Sequence, residues 1–176
     1  MPGAGKSTAA EALVEKGWKR VVMGDVIREE TKRRGLPPDA KNTGEVMKQL
    51  RAERGEAAVA ELCMEVIEKT PSEKTVVDGV RSVPEVEVFR RRGPVLLVAV
   101  DASPKRRFEL LRERRRSDDP LTYDMFRARD ERELAVGVGK AIALADETVS
   151  NEHGSQKRLA ADLAKVVEEW LKEDGH

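Results

Sequence analysis

Residues Met1 to Thr8 read M-P-G-A-G-K-S-T, and the types in that run suit the binding of a phosphate chain. The run supplies the last seven residues of the pattern G-x-x-x-x-G-K-[ST] and one further Thr. Gly3 and Gly5 can take positive φ, so the backbone around Ala4 can approach an anion closely. The N–H groups of that loop, and of the helix start behind it at Lys6, Ser7 and Thr8, point at the phosphate oxygens. Lys6 reaches the β- and γ-phosphates, and the Ser7 hydroxyl can ligate Mg²⁺. The expected ligand is therefore ATP with Mg²⁺, ATP serving as phosphoryl donor.

Four further clusters offer chemistry. In Gly24-Asp25-Val26-Ile27-Arg28, a glycine lets the chain turn and an arginine one turn into a helix can meet a phosphate. The plainer alternative is a helix cap at Asp25 with Arg28 in solvent. In Val76-Val77-Asp78-Gly79-Val80-Arg81, an Asp ends a buried strand, where open α/β sheets bind their ligands. Asp78 there can hold Mg²⁺ through water and Arg81 can fork onto a second phosphate; a tight turn is the bland reading. From Arg107 to Arg132 the chain is crowded with arginines that repel one another unless an anion neutralises them. A lid over a transferring phosphoryl group uses such charge. The loop Ser150-Asn151-Glu152-His153-Gly154 could wrap a nucleotide base, with Asn151 in contact, or be an ordinary loop.

The elements that position these groups alternate between helix and strand, which reads as α/β with a mostly parallel sheet flanked by helices. Thr8–Lys16 is a helix, Arg20–Met23 a strand, and about Asp25 to Arg34 a helix. Apolar spacing predicts helices over Asn42–Lys69, divided at Gly55. Thr75–Asp78 is a strand, Val83–Arg92 a helix, Val95–Val100 a strand, and Ser103-Pro104 opens a helix. Ala145–Val149 is the last strand and Ser155–Lys172 an amphipathic closing helix. The expected organisation is one kinase-like domain over residues 1–176. Within it, a helical acceptor-binding part spans about 25–69 and an arginine-rich lid about 112–132. A hydrophobic strand normally precedes a phosphate-binding loop, and none stands before Met1. The native protein is therefore expected to begin upstream, the alternative being a naturally shortened chain.

Composition bounds the partners. Lys plus Arg number 33 and Asp plus Glu 33, so no basic field argues for nucleic acid. Charged residues make up 38% of the 176, a bias towards ion pairs found in proteins from hot environments. The single cysteine, Cys63, precludes an internal disulfide and sits in an apolar stretch, as an inert core thiol would. No apolar run reaches the ~18 residues that span a bilayer. A cytoplasmic protein acting on small-molecule nucleotides is expected, with no membrane partner.

These motifs resemble those of the adenylate kinase-like nucleoside monophosphate kinases. The chain is still more similar to an archaeal group of P-loop proteins described as adenylate kinase-related or dephospho-CoA kinase-like. The resemblance covers nearly the whole chain. It implies that Arg28 of Gly24-Asp25-x-x-Arg28 and Arg81 of Asp78-Gly79-x-Arg81 hold the acceptor phosphate, the second arginine coming one residue earlier than in D-G-x-x-R. Arg116-x-Asp118-Asp119 with Arg127 resembles the lid pattern, implying that Arg116 and Arg127 clamp the phosphates. Lys6 and Ser7 carry over as phosphate and Mg²⁺ ligands. Met23 replaces the usual Thr, and Glu85 stands where those kinases have a base-contacting Gln. The expected activity is ATP-dependent phosphoryl transfer to a nucleotide-like acceptor. A dephospho-CoA kinase-like activity, or a regulatory ATPase acting on a protein or RNA, stays open beside it.

Overall fold

A computed structural model describes residues 1–114 and 119–173, and among the described residues the chain forms nine helices and four short strands. They divide into two compact units, Met1–Lys16 with Leu96–His176, and Gly17–Val95. Every strand pairing is parallel, as the alternation of helix and strand leads one to expect.

The first unit holds α1 (Lys6–Val14), β3 (Val98–Asp101), α6 (Pro104–Arg114), α7 (Tyr123–Val136), α8 (Val138–Ala143), β4 (Glu147–Ser150) and α9 (Gln156–Glu173). β3 and β4 pair from Val98↔Glu147 to Asp101↔Ser150. Asp146 closes the start of the ladder: its carboxylate accepts from the Leu97 N–H at 2.8 Å and its own N–H reaches the Leu97 carbonyl at 2.9 Å. α9 buries Leu159, Leu163, Ala164 and Val167, one stripe at helical spacing, and packs on α1 and β4. The facing side of α1 is Ala9, Ala10 and Leu13, small enough to bring its first turn close to α9. Phe108 of α6 and Tyr123 and Phe126 of α7 form an aromatic cluster with centroids 5.4–5.5 Å apart.

The second unit holds β1 (Lys19–Val22), α2 (Met23–Arg33), α3 (Ala40–Arg54), α4 (Ala58–Lys69), β2 (Thr75–Asp78) and α5 (Val83–Arg90). β1 and β2 pair from Lys19↔Thr75 to Val22↔Asp78, which brings Gly24 and Gly79 to the same end of the ladder. The division at Gly55 is real: that residue ends α3 at φ +89°. Met23, expected to end the strand, instead heads α2 with its side chain in the core beside Val21, Ile27, Val46, Leu50, Cys63 and Phe89. Burial, helped by the charge of Glu85, pushes the Cys63 thiol up to about 12, so it stays protonated and inert. The strands around Val95–Val100 and Ala145–Val149 lie one to three residues later than the apolar pattern suggests. Hydrogen bonding to the neighbour, not hydrophobicity, sets their ends.

Leu50 is 2% exposed at the centre of the second unit. Leu50→Ala is expected to lower stability by ~2–5 kcal/mol, the range for a buried leucine that leaves a cavity. Chemical denaturation of both proteins measures it; an unchanged midpoint would contradict this core assignment.

Candidate functional site

The loop Met1–Gly5 runs directly into α1, and each of its glycines is needed twice over. Gly3 and Gly5 sit at φ +80° and +100°, where a side chain is strained. A Cβ on Gly3 would lie 2.7 Å from the Arg107 carbonyl oxygen and 2.8 Å from Leu111 Cγ. One on Gly5 would lie 2.6 Å from Asn151 Nδ2 and 2.8 Å from Leu159 Cδ2. Ala4, between them, is fully buried.

Three of the loop's carbonyl groups accept from side chains outside it. Lys6 Nζ donates to the Met1 carbonyl at 2.7 Å, and the Ala4 N–H closes on the same oxygen at 3.4 Å. Asn151 Nδ2 donates to the Ala4 carbonyl at 3.0 Å, and Arg107 Nη1 to the Pro2 carbonyl at 3.1 Å. Behind the loop, the first N–H groups of α1, at Lys6, Ser7 and Thr8, cannot bond within the helix. They lie at its positive end. No acidic side chain occupies that first turn.

In the second unit, the parallel register brings together the two clusters expected to hold an acceptor. A Cβ on Gly79 would be 3.8 Å from Met23 Cβ, so the turns after β1 and β2 lie side by side. Asp78 is 7% exposed, and its Oδ2 accepts from Arg20 Nη2 at 2.6 Å. Asp25 sits in the first turn of α2, not at its cap, and pairs with Arg28 one turn on; both are exposed. Glu85, 1% exposed, is spent on its surroundings. Oε2 accepts from the N–H groups of Arg81 and Ser82 at 2.8 and 3.1 Å, capping α5, and Oε1 accepts from Arg51 Nη2 at 3.2 Å. The Arg81 guanidinium lies 4.0 Å from Met47 Sδ, on the same face of α3 as Arg51.

Of the lid residues, Arg116 lies outside the described residues. Arg127 is exposed on α7, 4.0 Å from Glu131. Asp119 is nearly buried and accepts from Arg114 Nε at 3.0 Å and Nη2, with Arg129 at 3.9 Å. Arg107 is buried against Asp130. The individual parts of Arg107, Asp130, Arg20 and Arg51 were not legible in the sequence. Their ion-pair partners are 23 residues away or more, and no local pattern links them.

Asn151 is buried and tied to the loop, whereas the residues after it differ from one another. Glu152 caps α6: its carboxylate accepts from the Ser103 N–H at 2.6 Å and the Ser103 hydroxyl at 2.7 Å. Those two bonds hold it below the usual carboxylate range. His153 and Gly154 line a groove of about 400 Å³ with Thr148, Ser150, Arg158 and Asp162.

No group of three or more His, Cys, Asp or Glu side chains able to hold a metal occurs among the described residues. The Ser7 hydroxyl, in the first unit, and the Asp78 carboxylate, in the second, are each an oxygen donor. Hard oxygen ligands of that kind suit a Mg²⁺ that arrives on phosphate and keeps its water.

A family model described as "AAA domain" matches residues 1–125. A UPF0200 protein of Methanocaldococcus jannaschii is 46% identical over 173 residues, covering 97% of this chain and 87% of its own. A UPF0200 protein of Thermococcus kodakarensis is 41% identical over 176 residues, covering 97% and 95%. One of Hyperthermus butylicus is 45% identical over 152 residues, covering 86% and 82%. Among the described residues, no helix is long and apolar enough to cross a membrane.

Two outcomes follow from these contacts. Asn151→Ala leaves the buried Ala4 carbonyl without its side-chain donor and is expected to cost ~1–3 kcal/mol in thermal unfolding. Because the Glu152 carboxylate is depressed in the folded state, its contribution is full above its ordinary value of 4.5 and is lost as pH falls through the folded value. Melting curves between about pH 3 and 6 should therefore fall less steeply for Glu152→Gln than for the native chain. Identical slopes would contradict the Ser103 cap.

Proposed function

The chain belongs to the kinase-like P-loop family of the AAA-domain model and to the UPF0200 proteins, and from that premise we propose that it transfers the γ-phosphoryl group of ATP to a nucleotide-like phosphate acceptor. One observation carries the donor half of this reading. The loop Met1–Gly5 has its Met1, Ala4 and Pro2 carbonyl groups bonded to Lys6, Asn151 and Arg107, and it runs into the positive end of α1. That arrangement suits a triphosphate.

The acceptor half is supported by the pairing of β1 with β2, which sets Asp25 and Arg28 beside the turn that carries Asp78, Gly79 and Arg81. An arginine fork matches a phosphate in geometry and charge, so Arg28 and Arg81 are the proposed acceptor ligands. The pairing with Asp25 orients the Arg28 guanidinium before any phosphate arrives. Glu85, with both oxygens engaged, acts on the acceptor by fixing Arg51 and the Arg81 backbone.

Phosphoryl transfer requires little covalent chemistry from a protein; it requires two anions held in line and neutralised. Lys6 is proposed to lie along the β- and γ-oxygens, and Arg127 with Arg116 to meet the charge that develops on the transferring group. Mg²⁺, when bound, would draw charge off the phosphate oxygens. Ser7 would ligate it from the first unit; Asp78, in the second unit, is a further oxygen donor of the kind that takes Mg²⁺ through water. Exclusion of water then favours the acceptor over hydrolysis.

Lys6→Ala is expected to abolish transfer in a chain that still folds cooperatively; wild-type turnover in the variant would sink the donor assignment. Arg28→Ala should weaken acceptor binding by ~1.5–3 kcal/mol and spare ATP binding. The decisive assay incubates ATP and Mg²⁺ with a panel of nucleoside monophosphates, the matching nucleosides and dephospho-CoA. Phosphorylation of one monophosphate, with its nucleoside inert, is the expected result. A nucleoside that reacts as well as its monophosphate would show both arginines to be misassigned. Turnover without any acceptor would favour a regulatory ATPase.

A further inference from the structure

In a trans peptide, C=O and N–H point in opposite directions, so whatever holds the carbonyl also aims the amide of the next residue. No cis peptide bond is present in the described chain. Arg107 Nη1 on the Pro2 carbonyl therefore turns the Gly3 N–H the opposite way, just as Asn151 on the Ala4 carbonyl turns that of Gly5. Arg107 is itself fixed on every side. Nε donates to the Ala102 carbonyl at 3.2 Å. Nη1 and Nη2 meet the two Asp130 oxygens at 2.8 and 2.5 Å. The guanidinium carbon lies 4.9 Å from the Phe126 ring centroid. The Arg107 carbonyl, in turn, lies where a Gly3 Cβ would stand.

A buried ion pair is a weak source of stability, and apolar side chains of similar volume often replace one without loss. What an apolar residue could not supply at this place is a donor for the Pro2 carbonyl. We infer that Arg107 is a positioning residue for the phosphate-binding loop, aiming the Gly3 N–H at the incoming phosphate, with Asp130 of α7 as its anchor. The inference rests on the proposed nucleotide site and adds a residue to it. It also gives α7, which carries Arg127, a mechanical tie to the loop: Asp130 is three residues beyond Arg127 on that helix.

The test uses the full chain labelled with ¹⁵N-glycine, in wild-type, Arg107→Lys and Asp130→Asn forms, titrated with ADP·Mg²⁺. Lysine keeps the charge but cannot hold a carboxylate bidentately and a carbonyl at once. In wild type, both the Gly3 and Gly5 amide resonances are expected to move on binding. In Arg107→Lys, the Gly3 response should fall below half while that of Gly5 persists, and ADP affinity should drop roughly tenfold or more, as when a charged hydrogen bond is lost. Asp130→Asn, which retains the arginine, should show a smaller loss in the same direction. It carries the test alone if the lysine variant does not fold. A purely structural role would move both glycines together or neither. Unchanged affinity with an unchanged Gly3 response in folded variants overturns the inference. A wild-type chain that does not bind ADP·Mg²⁺ overturns the nucleotide reading beneath it.

Discussion

A loop can offer its N–H groups to an anion only if its carbonyl groups are satisfied elsewhere. In this chain that condition is met by three side chains from three places: Lys6 from the first helix, Asn151 from the end of β4 and Arg107 from α6. The rest of the first unit serves those contacts. The β3–β4 ladder ends at Ser150, which puts Asn151 against Ala4. The small residues of α1 let α9 approach until Leu159 touches the space above Gly5. Glu152 stops α6 where Ser103 begins it, so that Arg107 falls one turn in. Buried backbone groups must find partners, and here their choice of partners shapes the proposed binding surface.

The second unit solves a different problem, that of holding arginines where phosphate could use them without paying for unscreened charge. Arg20 lies on Asp78, Arg51 on Glu85 and Arg28 on Asp25. The pairs differ in weight. Asp78 and Glu85 are buried, so removing the arginine leaves a carboxylate that water barely reaches. Arg28 and Asp25 are half exposed or more, and that pair contributes little to stability. It can therefore open at small cost. Glu30 is intermediate. Hydrogen bonds from Arg33 and Arg34 hold it below the usual carboxylate range, yet Arg33 itself lies mostly in solvent. Within the second unit, the pairs with a buried carboxylate, Arg20–Asp78 and Arg51–Glu85, thus stand at the proposed acceptor site.

The loop ahead of the first helix was legible because its constraint is local: two glycines, a lysine and a serine within five residues fix its conformation. The helix break at Gly55 and the strand Thr75–Asp78 were legible for the same reason. What the sequence did not reveal are contacts made across the fold. Arg107 stands in a run of arginines that reads as one cluster, and only packing separates the buried member from its exposed neighbours. Asn151 looked like a residue for a nucleotide base, and Glu85 like a substitution of one; each is bonded to protein groups whose positions follow from tertiary pairing. Met23 was read as strand because it is apolar after Val22, but its burial is on the helix side.

If the oriented amides of this loop are the source of nucleotide affinity, the phosphate chain and not the base should carry it. A fluorescent ATP analogue bound to the full chain in Mg²⁺ can be challenged with inorganic tripolyphosphate and, separately, with adenosine at the same concentration. Tripolyphosphate is expected to displace the analogue and adenosine to leave it in place. Displacement by adenosine, with tripolyphosphate without effect, would contradict a phosphate-binding role for residues Met1 to Thr8.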